Sequence, residues 1–248
     1  MSGVAGESGI WLAGVDGCKS GWAAVLMKSG DPQSAKLQVF DKFDDLVNAV
    51  PRLSTIAVDM PIGLPDMVGA GGRGPEQSVR KHLGMRQSSV FSVPSRMAVY
   101  CTDYPQACKV AQETSDPPRK VSKQAFYLFP KIREIDELMS PALEQRVYEV
   151  HPELAFWRLN GGCEMSLPKK VKSRANLEGL DQRRDLLLAH GFSRVFLDQK
   201  RPTGVGRDDF LDAAANSLIA QRLRDGLAEP FPAEFKRDSK GLRIAIWV

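Results

Sequence analysis

Apolar runs near the start of the chain have the lengths and spacing of β-strands. Residues 10–15 and 22–27 are two short apolar runs joined by a turn that contains Gly17 and Gly21, and residues 37–40 alternate between apolar and polar positions. Two strands joined by a glycine-containing turn, with a third close behind, are typical of an antiparallel meander. The pattern therefore predicts three antiparallel strands at the beginning of the fold.

Helical and strand-like patterns then alternate. Apolar residues recur at helical spacing over 44–50, and residues 54–58 form a buried strand that ends in the proline- and glycine-containing segment 59–65, which must be a loop. Residues 146–150 alternate as a further strand, and residues 210–227 have the pattern of a long helix. This mixture predicts an α/β fold.

The segment between these later strands, residues 66–145, has a different pattern. It begins with a glycine-rich loop and contains three helical stretches, the last of which includes Pro130. We expect a helical and loop insertion above the sheet, within one domain that spans residues 1–248. The helices predicted in the insertion and after it cover residues 75–83, 122–139, 154–159 and 177–190, and a final strand or tail covers 241–248. Residues 104–119 are predicted to form a helix followed by a proline-rich break.

Composition narrows the class of protein. The chain has 248 residues, of which 43% are hydrophobic and 26% are charged. These values are ordinary for globular proteins and exclude a wholly disordered chain. The net charge of +4 is compatible with a polyanionic partner but does not require one.

Cysteine usage and hydropathy indicate the cellular setting. The four cysteines, at positions 18, 101, 108 and 163, form no C-x-x-C pair and have no histidine cluster beside them, so a zinc site is not predicted. Scattered cysteines favour reduced thiols in a cytoplasmic protein. The first ten residues lack the basic start and apolar core of a signal peptide, and no run reaches the length of a membrane span.

Acidic residues recur at the points where strands end. Asp16, Asp59 and Glu149 each lie at the end of a predicted strand, while Asp209 and Asp212 lie three residues apart at the start of the last long helix and hence on one face of it. Open α/β sheets bind ligands at the carboxyl ends of their strands. Clustered carboxylates repel one another unless a cation neutralises them, and hard oxygen donors with few histidines select Mg²⁺ or Mn²⁺.

Each of these residues also has a structural interpretation. An aspartate after a strand often serves as a turn former. Asp208, which precedes the acidic pair of the last helix, suits a helix cap better than a ligand position. His151 fits a metal ligand, a general base or a structural histidine, and Arg80 and Arg86 fit either phosphate contacts or a solvated basic helix face. The concurrence of several acidic positions is what favours a functional site.

The motifs along the chain resemble those of the DUF429 family, a group of predicted RNase H-like nucleases. The likeness begins with Gly14-Val15-Asp16-Gly17-Cys18 and Asp59-Met60-Pro61-Ile62-Gly63-Leu64-Pro65. It continues through residues 80–94, Gln124, 131–136, 149–153 and 208–213, so it covers most of the chain in order. One departure lies at residues 73–77, where the family commonly has an aspartate after a cysteine; that role is either absent here or passes to Glu76.

The resemblance implies an RNase H-like fold, in which a mixed five-stranded sheet with its first three strands antiparallel is flanked by helices. It also implies that the first strand, the fourth strand and a late helix deliver acidic residues, and it places Asp16, Asp59 and either Asp209 or Asp212 in those positions. The same fold carries ATPases of the sugar-kinase and actin type, so the fold does not fix the function.

Three functional hypotheses follow. The leading one is a nuclease that hydrolyses phosphodiester bonds of nucleic acid with Mg²⁺ or Mn²⁺. In it Asp16, Asp59, Glu149 and Asp209 would hold metal, Asp212 would complete the catalytic set, and Arg80, Arg86, Lys131 and His151 would bind substrate. The alternatives are a module that binds metal or a ligand without cutting, and an enzyme that acts on a small phosphorylated metabolite. The sequence leaves the substrate and the oligomeric state open.

Overall fold

The strands form one main sheet and two small pairs. The structure, a computed structural model, describes residues 9–172 and 174–248. The first ten residues, for which no signal peptide is predicted, lie largely outside this range. The strands are β1 Trp11–Cys18, β2 Gly21–Lys28, β3 Asp31–Phe40, β4 Leu53–Val58, β5 Val147–Glu149, β6 Lys170–Val171, β7 Arg174–Ala175, β8 Pro230–Phe231 and β9 Ile246–Trp247.

Helices connect and cover these strands. They are α1 Phe43–Val47, α2 Gly74–Arg80, α3 Arg96–Val99, α4 Tyr104–Glu113, α5 Lys123–Leu138, α6 Pro152–Leu159, α7 Leu177–Ala189, α8 Arg194–Leu197 and α9 Arg207–Arg224. Two short 3₁₀ turns cover Gly84–Ser89 and Leu143–Gln145. None of the described helices is both long and apolar enough to pass through a bilayer.

The main sheet has the predicted arrangement. Its strand order is β3-β2-β1-β4-β5. The pairs β1–β2 and β2–β3 are antiparallel, whereas β4 is parallel to both β1 and β5. The mixed five-stranded sheet with its first three strands antiparallel, flanked by helices, is therefore confirmed. Helices α2 to α5 lie between β4 and β5, within the segment predicted to be an insertion.

Several element boundaries differ from the prediction for identifiable reasons. Strand β3 begins at Asp31 rather than near residue 37. Its first half shows no apolar pattern in the sequence because the strand lies at the edge of the sheet and this half is polar and largely exposed. Helix α4 ends at Glu113, ahead of the proline-rich break predicted within residues 104–119. The last strand is confined to Ile246–Trp247.

The two faces of the main sheet pack against different helices. One face of β1 carries Ala13 and Val15 into a core shared with α5, and the other carries Leu12 into a core shared with α9. This division follows from the two-residue period of a strand. It decides which strand-end residues can meet, because successive side chains point to opposite faces.

A glycine brings α9 against the centre of the sheet. Gly14 in β1 lies on the face toward α9, and a methyl group built on it would overlap the backbone at Ala213 and Ser217. Asn216 of the same helix donates from Nδ2 to the Val15 carbonyl over 3.0 Å. The helix backbone therefore touches the strand two residues before Asp16, and this contact fixes the position of its first turns.

Candidate acidic site

Three aspartates from different elements line one cavity at the carboxyl end of the parallel strands. The cavity, here called the acidic cavity, has a volume of about 390 Å³ and is lined by Asp16, Asp59 and Asp212 together with Asp208, Asp209 and Glu153. Asp16 is only 8% exposed and Asp212 only 3% exposed. The carboxylates therefore face a confined space rather than bulk water.

Asp16 and Asp59 meet because their strands are parallel neighbours. Val15 pairs with Val58 in the register of β1 and β4, and the Asp59 N–H donates to the Val15 carbonyl over 3.0 Å. Asp59 follows Ala57 by two residues, and Ala57 belongs to the core on the α9 side. The pleat therefore directs both aspartates toward α9.

Asp212 comes from the first half of α9. It lies one turn before Asn216, whose contact with Val15 anchors the helix on β1. Since α9 approaches the sheet so closely at Gly14, the Asp212 carboxylate reaches the end of β1 where Asp16 lies. The oxygen Oδ1 of Asp212 is buried and has no hydrogen-bond partner among the described residues.

Burial, followed by repulsion from neighbouring carboxylates, raises the pKa values of all three carboxyls. Burial, followed by the charges of Asp59 and Asp212, raises the pKa of Asp16 well above its ordinary value. The pKa of Asp59 is raised to about 7, chiefly by burial, and that of Asp212 to about 6 for the same leading reason. The cavity therefore destabilises three adjacent negative charges and favours a cation among them.

Lys169 supplies one positive charge to this cluster. Its Nζ forms an ion pair with Oδ2 of Asp212, and it is also attracted to Asp16 and Glu153. Burial alone would lower the pKa of Lys169, but these carboxylates raise it well above the ordinary value. The lysine is therefore charged and lies at the aspartate that is otherwise incompletely bonded.

The two acidic residues that begin α9 have separate partners. Oδ2 of Asp209 accepts from the N–H of Gly206 over 2.9 Å, so Asp209, and not the predicted Asp208, bonds back to the residue that caps the helix. Asp208 pairs with Nζ of Lys170 over 2.5 Å. Burial raises the pKa of Asp209, whereas the Lys170 contact holds that of Asp208 below its ordinary value despite burial.

The structure does not bring Glu149 into this cluster. Glu149 pairs with Val58 in the sheet, so its side chain points to the opposite face from Asp59. There Arg73 binds its carboxylate through two contacts of 2.5 and 3.2 Å, and the N–H of Ile62 donates to it over 2.7 Å. Glu76 bonds the same guanidinium. Glu149 and Glu76 thus belong to a buried ion-pair network beside the cavity.

Two of the predicted substrate-binding residues do line the acidic cavity. Arg86 is partly buried, its Nε has no hydrogen-bond partner, and its guanidinium makes no ion pair with a described residue. His151 also lines the cavity with an unpartnered, buried Nδ1. Burial, followed by the charge of Lys169, lowers the pKa of His151 to about 4, so the imidazole is neutral at neutral pH.

The other two predicted substrate-binding residues make internal contacts. Arg80 donates to the carbonyls of Gly71 and Val90 and to Ser92. Lys131 donates from Nζ to the Gly21 carbonyl over 2.6 Å and lies 4.3 Å from the centre of the Trp22 ring. The structure places neither side chain on the wall of the acidic cavity.

Sequence reasoning missed two charged residues of the site. Glu153, at the start of α6, lines the cavity and is held by the buried Arg183 through two contacts of 2.7 Å. Glu153 could have been predicted, because it closely follows a strand in the segment His151-Pro152-Glu153. Lys169 lies in a stretch without apolar periodicity, and no local pattern marks it.

The donor atoms of the acidic cavity suit a divalent cation, but the described residues do not hold these atoms in the arrangement of a metal site. Asp16, Asp59 and Asp212 offer the hard oxygen atoms that Mg²⁺ and Mn²⁺ prefer, and one of these oxygens is buried without a partner. Within residues 9–172 and 174–248, however, no three acidic, histidine or cysteine side chains are arranged as a metal-binding group. Lys169 accounts for part of this difference, because it pairs with Asp212.

Fold and site together define an α/β protein whose mixed sheet presents an aspartate cluster to a cavity at the carboxyl ends of its parallel strands. The family model described as "Protein of unknown function (DUF429)" matches residues 14–237, and the chain belongs to this family. No curated protein and no solved structure gives a significant match.

Proposed function

We propose that the protein is a hydrolase of phosphodiester bonds in nucleic acid that depends on Mg²⁺ or Mn²⁺. The observation that carries the proposal is the convergence of Asp16, Asp59 and Asp212, from β1, β4 and α9, on one cavity in which their pKa values are raised. The carboxylates of such a cluster repel one another, and a bound divalent cation would reduce this repulsion. When bound, the cation would supply an activated water and stabilisation of the leaving oxygen.

The remaining cavity residues have roles that suit a phosphate ester. The guanidinium of Arg86 makes no ion pair with a described residue, and its buried Nε has no hydrogen-bond partner among them. A guanidinium can bind phosphate oxygens through two parallel N–H bonds. His151 is neutral, so its Nδ1 can accept a hydrogen bond from water or substrate without adding positive charge. Lys170, which is half-exposed and paired with Asp208, lies on the same wall and can shift toward an incoming phosphate.

Lys169 favours a second candidate function. Because its ammonium already neutralises part of the cluster, the same geometry supports a module that binds a ligand in the acidic cavity without cutting it. The two functions differ in what the carboxylates do. In the hydrolase Lys169 gives way to the divalent cation at Asp212, whereas in the binding module the ion pair persists.

Cleavage assays distinguish the two. The purified protein is incubated with single-stranded, double-stranded, hybrid and branched nucleic acids in Mg²⁺ or Mn²⁺, and the Asp16→Asn variant is compared with Asp198→Asn. Asp198 is an exposed aspartate paired with Arg184, so it controls for loss of one charge. We expect Asp16→Asn to abolish cleavage and Asp198→Asn to retain it. If the wild type cuts none of these substrates with either metal, the hydrolase is refuted.

A further inference from the structure

A second cavity lies beside the acidic one, within the region between β4 and β5. It has a volume of about 330 Å³, which is in the range of roughly 300–1,000 Å³ typical of small-molecule sites. Three separate segments enclose it, around residues 68–72, 90–95 and 111–122. Phe91 contributes to the walls of both cavities, so the two are neighbours.

The charged side chains that line the second cavity are all basic. Arg80, Arg119 and Lys120 line it, and its lining includes no acidic residue. Arg80 is fixed by bonds to the backbone, but Arg119 and Lys120 are exposed and their side chains make no ion pair with a described residue. The mouth of the cavity therefore offers two uncommitted cations to an anionic group.

The walls of the second cavity are apolar with a few hydroxyl groups. Val68, Val93 and Ala111 are buried parts of these walls, whereas Ser115 is half-buried and Ser122 is exposed. Each serine oxygen accepts a backbone N–H, from Arg119 and Ala125 respectively, which leaves its own O–H proton able to donate to a ligand. Apolar walls with hydroxyl donors among them suit an apolar ring that carries hydrogen-bond acceptors on its edge.

We infer that the second cavity binds a nucleotide, with the base in the apolar interior and the phosphate at Arg119 and Lys120. This inference rests on the proposed function and specifies its substrate. A nucleic acid whose scissile phosphate lies in the acidic cavity places a neighbouring nucleotide across Phe91 in the second cavity. Because the base enters a pocket, it must be unpaired, so the substrate is single-stranded at this position.

Binding is tested without metal, so that it is independent of cleavage. The probe is thymidine 5′-monophosphate, titrated calorimetrically into the full chain in the presence of EDTA, with ribose 5-phosphate as the ligand that lacks the base. We expect thymidine monophosphate to bind at least tenfold more tightly than ribose 5-phosphate. Equal affinities would overturn the inference, because the apolar interior would then contribute nothing.

A charge variant locates the site. The double variant Arg119→Gln, Lys120→Gln is expected to weaken nucleotide binding at least tenfold without changing the thermal unfolding midpoint, since both side chains are exposed and neither makes an ion pair within residues 9–172 and 174–248. The control Lys42→Gln, Lys109→Gln removes the same charge from exposed positions outside the cavity and should leave the affinity unchanged. Equal effects of the two double variants would refute the assignment.

The failures of the two proposals are distinguishable. If the protein cuts no nucleic acid but binds the nucleotide through Arg119 and Lys120, the second site stands and the hydrolase fails. If it cuts nucleic acid but the double variant binds the nucleotide normally, the hydrolase stands and the second site is refuted.

Discussion

Replacement of Asp59 by asparagine should stabilise the metal-free protein. The carboxyl of Asp59 has a pKa of about 7 in the folded protein, raised chiefly by burial, against 3.8 as its ordinary value. The difference corresponds to about 4 kcal/mol when the group is ionised in both states. The amide of asparagine must still be desolvated, which costs about 1–3 kcal/mol, so we expect a net gain of about 1–3 kcal/mol at pH 8.

The sign and pH window of this effect follow from linkage. A carboxyl whose pKa is raised on folding holds its proton more firmly in the folded state, so its favourable contribution is complete below the unfolded value and is lost as the pH rises through the folded one. For Asp59 this window extends from 3.8 to about 7. The advantage of Asp59→Asn should therefore be small near pH 4 and largest above pH 7.

The assay is urea unfolding in EDTA, followed by circular dichroism at several pH values. Asp136→Asn is the matched control, because Asp136 is also buried but its bonds to Arg96 and Lys240 outweigh burial and hold its pKa below the ordinary value. That variant should be less stable than the wild type at neutral pH. Two results would refute this prediction: an Asp59→Asn variant that is no more stable than the wild type at pH 8, or a gain in stability at pH 4 that equals the gain at pH 8.

Three further substitutions test other contacts. Gly14→Ala should destabilise the protein by about 3 kcal/mol or more in urea unfolding, because its methyl group meets the backbone at Ser217; a loss under 1 kcal/mol would contradict the close approach of α9. Lys169→Met should tighten Mn²⁺ binding about tenfold, measured by electron paramagnetic resonance, whereas Lys170→Met should have a smaller effect; the reverse order would count against competition at Asp212. Arg73→Met should cost about 3–5 kcal/mol in thermal or urea unfolding, since it removes the guanidinium that pairs with the buried carboxylates of Glu76 and Glu149, and a neutral result would show that the network contributes little.

The sheet could be predicted from the sequence because its strands have local signals. The apolar runs of β1, β2 and β4 are short and bounded by turns or prolines, and the glycine-containing turn after β1 predicts its antiparallel pairing with β2. The mixed sheet that includes β4 and β5 was implied by the resemblance to the DUF429 family. The first half of β3 could not be found in this way, since an edge strand that is exposed on its surface carries few apolar residues.

The acidic cluster was predictable in part. Asp16 and Asp59 lie at the ends of neighbouring parallel strands, and the fold that the family resemblance implies brings them together. Glu149 lies at the end of a parallel strand as well, but the register that pairs it with Val58 directs it to the other face. Only the register distinguishes these cases, and the register is a property of the folded sheet.

The basic residues were harder to predict because long side chains reach partners far away in sequence. Arg80 and Lys131 donate to backbone carbonyls, whereas Nε of Arg86 has no hydrogen-bond partner in the described part of the chain. The linear sequence does not distinguish these three residues. Lys169 pairs with a residue 43 positions away, and only tertiary structure brings them into contact.

The central claim is that the cluster of Asp16, Asp59 and Asp212 binds a divalent cation, and a Mn²⁺ soak of crystals tests it most directly. We expect an anomalous density peak beside Asp16, within coordination distance of Asp59 and Asp212, with Lys169 moved away from its partner. The absence of a peak at this cluster in crystals soaked at millimolar Mn²⁺, with the ion pair between Lys169 and Asp212 intact, would contradict the claim.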